Sequence, residues 1–273
     1  MKAFSDAFKL GPGYNPPVIE GWSEDFSYAF YRKILSVFKS DLSPRRLSDA
    51  LGGQDPSGKP IAVMRHDVDV CPQIALRMAT VEHEEKFAST YLFLTDSPLY
   101  KLEDPATGSA MRQIAAMGHE IALHFDIDDG ARVMRRGMAE VEEQINVAAQ
   151  RIAAMSGVAV ESLSFHRPLD LETLKADRVA GLVNAYGPSL MRRYLSDSNA
   201  CWREGNPLES LSSAKGQALQ MLVHPIWWGE THLSRQDRLE QYCEGRDDPA
   251  GDLDERMFRG LGLTRVRDVP KHA

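Results

Sequence analysis

The chain has few of the features that mark secreted, membrane or nucleic-acid-binding proteins. Its three cysteines, Cys71, Cys201 and Cys243, fit neither a zinc knuckle nor a disulfide framework. No run approaches the roughly 18 consecutive apolar residues of a membrane helix. The opening stretch MKAFSDAFKLGPGYNPPV contains no apolar core of a secretory signal. We therefore expect a cytoplasmic protein with reduced thiols and no membrane span.

Basic residues are also in the minority, since the net charge is −7. This balance argues against a nucleic-acid partner, because phosphate binding needs clustered lysine and arginine. The 43% hydrophobic and 26% charged residues are typical of a globular protein. We expect residues 1–60 to form an arm and a helix, Trp22–Phe38, that packs on the body. Residues 61–273 are then the main domain, and 273 residues suffice for a single α/β barrel.

Strand patterns alternate with helix patterns from residue 61 onward. The predicted strands are Ile61–Met64, Ala88–Leu94, Glu120–Phe125, Ser162–Pro168, Gly181–Tyr186, Arg193–Ser196 and Ala218–Pro225. This alternation implies parallel strands joined by helical crossovers. About seven such strands in one domain favour a distorted (β/α) barrel over an open sheet.

Polar residues follow the predicted strands where each of them ends. They are Asp67, Asp69, Asp96, His124, Asp126, Asp128, His166, Arg167, Asp197 and His224. The carboxyl ends of parallel strands form the functional face of α/β folds. Asp67 and Asp69 alternate along a strand, so they share a face, and two neighbouring carboxylates repel each other unless a cation lies between them. An isolated pair of aspartates is more often an acidic turn. Because acidic and histidine residues also follow the other predicted strands, we favour a functional site.

A cation held by aspartate and histidine is typically zinc or a similar first-row ion, with cobalt and nickel as alternatives. A hydrolytic centre needs about three protein ligands and an open position for water. It also needs a base for that water and an acid for the leaving group. The strand ends supply enough side chains for all of these roles.

Five short segments resemble the polysaccharide deacetylases, the NodB-homology or carbohydrate esterase family 4 group. They are Arg65-His-Asp-Val-Asp69, Ala88-Ser-Thr-Tyr-Leu-Phe-Leu94, Gly118-His-Glu-Ile-Ala-Leu-His124, Phe165-His-Arg-Pro168 and Leu222-Val-His-Pro225. They look most like the divergent HDVD branch, which includes the WbmS-type proteins of O-antigen clusters. The resemblance covers roughly residues 60–230, and its most specific segment is GHEIALH.

This resemblance implies a distorted (β/α) barrel of the NodB-homology type with an extra N-terminal segment. It also implies metal-dependent removal of an acyl group, typically N-acetyl, from a sugar or sugar nucleotide in surface-polysaccharide assembly. Asp67 would activate water as the base, and Asp69 and His124 would bind the metal. His224 would protonate the leaving group.

The resemblance further implies that Arg167 holds the base carboxylate and that Asp197 pairs with a catalytic histidine or the substrate. The sequence departs from the family pattern in two places. Val68 separates two aspartates that are usually adjacent, and Asp128 stands where the family has a second histidine. Either Asp128 or His166 is then the third metal ligand.

Three further residues are candidates for substrate contact. Trp227 and Trp228 are expected in an exposed loop where they stack on a sugar ring, although aromatic pairs more often pack beneath loops. Asp126 is either a substrate contact or a capping residue. The partner is a small molecule or oligosaccharide. Two alternatives stay open, namely a hydrolase of a non-sugar amide or cyclic imide and a non-catalytic carbohydrate-binding protein.

Overall fold

The computed structural model describes residues 23–52, 55–126, 137–166, 176–202, 204–213 and 218–244. They form one sheet of nine strands with helices packed against it. The strands are β1 (Ser43–Arg45), β2 (Ile61–Val68), β3 (Thr90–Leu94), β4 (Glu120–Phe125), β5 (Ser162–Phe165), β6 (Arg178–Val179), β7 (Leu182–Asn184), β8 (Arg193–Ser196) and β9 (Leu219–Val223). The helices are α1 (Tyr28–Asp41), α2 (Pro72–Glu84), α3 (Pro105–Ala116), α4 (Met138–Ser156), α5 (Pro207–Ser212) and α6 (Arg235–Glu244). Among these helices, none has the length and apolar character needed to cross a bilayer.

The sheet is mostly parallel and runs in the order β6-β7-β5-β4-β3-β2-β9-β8, with β1 paired to β2. Only the β6–β7 pair is antiparallel within the described strands. In a flat sheet, β7 and β9 would lie about 24 Å apart, at roughly 4.8 Å per strand. Yet the Gln220 amide of β9 donates a hydrogen bond to the Ala185 carbonyl, directly after β7, at 2.8 Å. The sheet therefore curls into a partial barrel.

Local sequence signals explain where the helices begin and end. The Ser27 hydroxyl accepts a hydrogen bond from the Phe30 N–H and starts α1. Asp104 caps α3 in the same way. Gly157 ends α4 in the left-handed conformation, with φ of 78°, which a residue without a Cβ adopts at little cost. These boundaries fix where the loops at the carboxyl edge of the sheet start.

The apolar core lies on both sides of the curled sheet. On the outside, α1 packs against β9 and neighbouring elements through Tyr31, Ile34 and Phe38. A second outer cluster joins α3 and α4 to β3 and β4. Inside the curl, Leu92 and Ala122 belong to a smaller apolar cluster. Buried clusters on both faces hold the strand ends in fixed positions.

The predicted α/β class and the parallel sheet are confirmed, while several finer points differ or remain open. The seven predicted strands correspond to β2, β3, β4, β5, β7, β8 and β9, whereas β1 and β6 were not predicted. The N-terminal helix begins at Tyr28 because Ser27 caps it there, and it extends to Asp41. No pairing between β6 and β8 closes the ring within the described strands. Barrel closure and the division at residue 60 therefore stay predictions.

Candidate metal centre

The carboxyl ends of β2, β4, β5 and β9 bring five acidic and imidazole side chains together. Asp67 lies in β2, Asp69 follows it, and His124 lies in β4. His166 follows β5, and His224 follows β9. The His124 Nε2 lies 3.2 Å from Asp69 Oδ1 and 3.7 Å from Asp67 Oδ2. The two aspartates therefore share one face of the strand, as their alternation predicts.

Three of these side chains form a triangle of ligand atoms. His124 Nε2, His166 Nδ1 and Asp69 Oδ1 lie 3.1, 3.2 and 3.4 Å from one another. A zinc ion bound tetrahedrally at roughly 2.0–2.2 Å separates its ligand atoms by about 3.3–3.6 Å. Asp69 Oδ1 is buried and accepts no hydrogen bond of normal geometry from a described residue, although both imidazoles lie within ion-pair distance. The donor set and its spacing fit a divalent first-row cation.

The Ser164 hydroxyl sets the tautomer of His124. It donates a hydrogen bond to Asp67 Oδ1 at 3.3 Å, and the His124 Nδ1 lies 2.6 Å from the Ser164 Oγ. Since the hydroxyl proton is directed at Asp67, the His124 Nδ1–H donates to Ser164. The Nε2 lone pair of His124 then points at the triangle, which is the form that binds a metal.

A buried guanidinium fixes the carboxylate of Asp67. Arg65 Nη1 lies 3.1 and 3.2 Å from the two Asp67 oxygens, and both side chains are buried. Arg65 Nη2 also donates to the Tyr186 hydroxyl at 3.2 Å. Burial lowers the pKa of Arg65, but the Asp67 charge outweighs this and raises it overall. Asp67 is thus an oriented carboxylate next to the triangle and outside it.

His224 is held by a fully buried carboxylate. Its Nδ1 lies 2.7 Å from Asp197 Oδ1, and its backbone N–H also donates to Asp197. The Trp228 indole N–H donates to the other Asp197 oxygen at 2.9 Å. Because Asp197 binds the Nδ1 side, the His224 Nε2 is directed towards Asp69 Oδ2, 3.8 Å away. This is the orientation of an imidazole whose second nitrogen exchanges a proton.

The surrounding charges set the protonation of both partly exposed histidines. Burial lowers the pKa of His224, but the bond to Asp197 and the charges of Asp69 and Asp67 raise it to about 9. For His166 too, burial lowers the pKa, while Asp69, with a smaller contribution from Asp126, raises it overall. His224 therefore carries positive charge near neutral pH, and the pKa of His166 is shifted in the same direction.

The predicted site residues divide into three groups. The structure brings together Asp67, Asp69, His124, His166, Asp197 and His224. Asp126 follows β4 and acts on His166 through its charge. Arg167 and Asp128 lie outside the described residues. Asp96 turns away from the centre and pairs with Arg151 at 3.2 Å.

The predicted exposure of the tryptophan pair is wrong. Trp227 and Trp228 are 4% and 2% exposed, so neither ring offers a face to a sugar. Trp228 packs on Phe26 and Tyr31, with ring centroids 5.2 and 5.0 Å away. Phe26 and Tyr31 thus cover the ring of Trp228, whose indole N–H donates to Asp197 of the centre.

Three residues of the centre were not predicted from the sequence, namely Arg65, Ser164 and Tyr186. A signal existed for Arg65, because it alternates with Asp67 and Asp69 and so shares their face of β2. None existed for Ser164, whose position opposite His124 depends on the β4–β5 register. Tyr186 reaches Arg65 only because the sheet curls.

No protein-family model and no curated protein matches the chain. Among solved structures, it is similar to a peptidoglycan deacetylase from Bacillus subtilis at 13% identity and a TM-score of 0.43, covering 74% of this chain and 95% of that one. It is also similar to a family 4 carbohydrate esterase from Streptomyces lividans in complex with acetate, at 14% identity and a TM-score of 0.41, covering 75% and 90%. A CE4 family pseudoenzyme from Bacillus anthracis matches at 14% identity and a TM-score of 0.44, covering 83% and 72%. At such low identities and TM-scores, these structures do not decide what this chain does.

Proposed function

We propose that the protein is a metal-dependent hydrolase that removes an acyl group from a sugar. The observation that carries this proposal is the triangle of Asp69, His124 and His166, with the clamped carboxylate of Asp67 on one side and His224 on another. A hydrolytic metal centre needs metal ligands, a base and an acid, and different residues are available here for each of these three roles.

Each residue has a task that its contacts support. A divalent cation, when bound by the triangle, supplies Lewis acidity that polarises the acyl carbonyl. Asp67, oriented by Arg65, accepts the proton of the attacking water. His224, charged near neutral pH, donates its Nε2 proton to the departing amine or hydroxyl. Asp197 then stabilises the position and charge of that imidazole.

The finer features of the proposal come from the motif resemblance. They are the removal of an N-acetyl group, a sugar or sugar-nucleotide substrate, a role in surface-polysaccharide or O-antigen assembly, and a cytoplasmic location. Zinc is the proposed ion, with cobalt or nickel as alternatives, since imidazole and carboxylate ligands suit these metals.

Metal content and acetate release test the proposal together. We expect about one ion per chain in the wild type and in His83→Ala, which changes an exposed histidine outside the centre. His166→Ala and His124→Ala should lose both the ion and the release of acetate from N-acetylated sugars. Protein that holds no metal and takes none up on dialysis would contradict the proposal and favour the non-catalytic carbohydrate-binding alternative. Bound metal without activity on any acetylated sugar would favour the non-sugar amide alternative.

A further inference from the structure

A cavity of about 550 Å³ lies beside the proposed metal centre. Its walls come from the N-terminal ends of α1 and α2, from α6, and from the segment around Trp228–Thr231. Its size falls within the range of small-molecule pockets. None of the predicted catalytic side chains lines it, so the proposed hydrolytic roles do not account for it.

The cavity shares a wall with the centre. Val70 and Cys71, which line it, follow directly after Asp69. Trp228 lines it as well, and its indole N–H donates to Asp197 on the other side. One layer of residues therefore separates a ligand in the cavity from the proposed acid and metal ligands.

This wall holds a buried guanidinium that pairs with no acidic side chain in the described part of the chain. Arg238 is 6% exposed, and its described hydrogen bonds go to neutral acceptors: the carbonyls of Trp227 and Thr231 and the Gln241 amide oxygen. Gly229 allows this position, because a Cβ there would overlap the guanidinium. Burying a charge with only neutral partners is costly, and an anion in the cavity would offset that cost.

A second guanidinium and a helix end add to the positive charge. Arg77 lines the cavity from α2, is exposed, and forms no ion pair with any residue in the described ranges. Burial raises the pKa of Tyr28, while both arginines lower it, so all three groups are close in space. Among the described residues that line the cavity, Glu230 is the only acidic one. The first turn of α2, which no side chain caps, also faces this region with its positive dipole end.

We propose that this cavity binds the phosphate group of the substrate. The substrate of the proposed hydrolase is then an acylated sugar phosphate or sugar nucleotide rather than a neutral glycan. This inference rests on the proposed function for its link to catalysis, but the binding of phosphate in the cavity does not depend on turnover. Guanidinium groups bind phosphate oxygens in a forked geometry. The described lining has two arginines and one glutamate, so its net charge is positive.

Calorimetric titration with inorganic phosphate tests the cavity on the metal-loaded protein. Arg77→Met should weaken phosphate binding about tenfold or more, because a charge-assisted contact is lost. Lys33→Met removes an exposed positive charge from α1 outside the cavity, and it should leave the affinity unchanged. His166→Ala, which removes a proposed metal ligand, should also retain phosphate binding. No binding to the wild type, equal binding to Arg77→Met, or loss in His166→Ala alone would overturn the proposal.

Steady-state kinetics then test the link to catalysis. Arg77→Met should raise the KM for N-acetylglucosamine 1-phosphate and leave the KM for N-acetylglucosamine unchanged. An equal effect on both substrates would overturn the assignment of the cavity to the substrate's phosphate. If neither sugar is hydrolysed while phosphate binds as expected, the hydrolase proposal fails and the anion site stands.

Discussion

The two faces of strand β2 carry two buried clusters of acids and histidines that differ in their hydrogen bonding. On the outer face, His66 joins Glu82, and both side chains are fully buried. On the inner face, Asp67 and Asp69 join the imidazoles of the proposed metal centre. The clusters are built from the same residue types and start from neighbouring positions in the sequence.

In the outer cluster the carboxylate of Glu82 is saturated with donors, whereas the buried Nδ1 of His66 forms no hydrogen bond with a described residue. Glu82 Oε1 accepts from the Tyr31 hydroxyl at 2.5 Å and lies 2.9 Å from His66 Nε2. Glu82 Oε2 accepts from Ser89 and Tyr91, each at 2.7 Å. Burial raises the pKa of Glu82, but the charge and hydrogen bond of His66 outweigh it and lower the pKa to about 2. This carboxylate has a full set of donors from α1, β2 and β3 and needs no ligand.

The inner cluster is incomplete by comparison. Asp69 Oδ1 is buried and accepts no well-formed hydrogen bond from the described residues, and its side chain is 25% exposed. Burial raises the pKa of Asp69, while His124 and His166 outweigh this and hold it well below its usual range. A charged oxygen that faces two imidazoles, without a donor of its own, suits a cation. The two carboxylates therefore differ: Glu82 has a full set of donors, and Asp69, which lacks one, is the carboxylate that we propose binds a cation.

The largest expected effect is on the inner cluster, with Asp67→Asn. The variant should lose between about 100-fold and 10,000-fold in kcat, because an amide cannot take the proton of the attacking water. Its metal content should match the wild type, since Asp67 is not one of the three proposed ligands. Acetate release and elemental analysis measure the two quantities. Retained activity would remove Asp67 from the role of base.

Arg65→Met tests the clamp on Asp67 in the inner cluster. It should lower the free energy of unfolding by about 3–5 kcal/mol, because it leaves a buried carboxylate without its cation. Arg32→Met, which breaks a surface ion pair with Glu84, should cost at most about 1 kcal/mol. Urea unfolding measures the loss in free energy of unfolding for both variants. Equal losses would show that the buried ion pair contributes no more to stability than the surface pair.

The pH dependence of stability separates the outer cluster from the inner one. The pKa of Glu82 is lower in the folded protein, at about 2, than its ordinary value of 4.5. Its contribution to stability is therefore full above pH 4.5 and is lost as the pH falls towards 2. Urea unfolding should show that the wild type is more stable than Glu82→Gln above pH 4.5 and that this difference shrinks as the pH falls towards 2. A constant difference at all pH values would contradict the assignment of a charged Glu82.

The smallest expected effect comes from the two tryptophans. Trp228→Phe removes one donor from Asp197 and should lower kcat by roughly fivefold, equivalent to about 1 kcal/mol. Asp197 then interacts more strongly with His224, so the alkaline limb of the pH–rate profile should move to higher pH. Trp227→Phe is the matched control, because no described group bonds its indole N–H. Identical profiles for both variants would exclude this role of Trp228.

Much of the centre could be predicted because strand ends in parallel folds meet at one edge. The alternation of Asp67 with Asp69, and the positions of His124, His166 and His224 after apolar runs, follow from the sequence. The burial of Trp227 and Trp228 could not be predicted, because it depends on tertiary packing, such as that of Phe26 and Tyr31 over Trp228. The role of Glu82 was also hidden, since its partners come from α1, β2 and β3.

The sequence by itself determined the order of strands and helices and which polar residues stand where the strands end. These features are local, because they depend on periodicity, caps and turn residues within a few positions. The tertiary structure alone decided that Arg65 holds Asp67, that Ser164 orients His124, and that His166 completes the triangle. Those contacts depend on strand register and sheet curl, and these arise from packing between residues far apart in the chain.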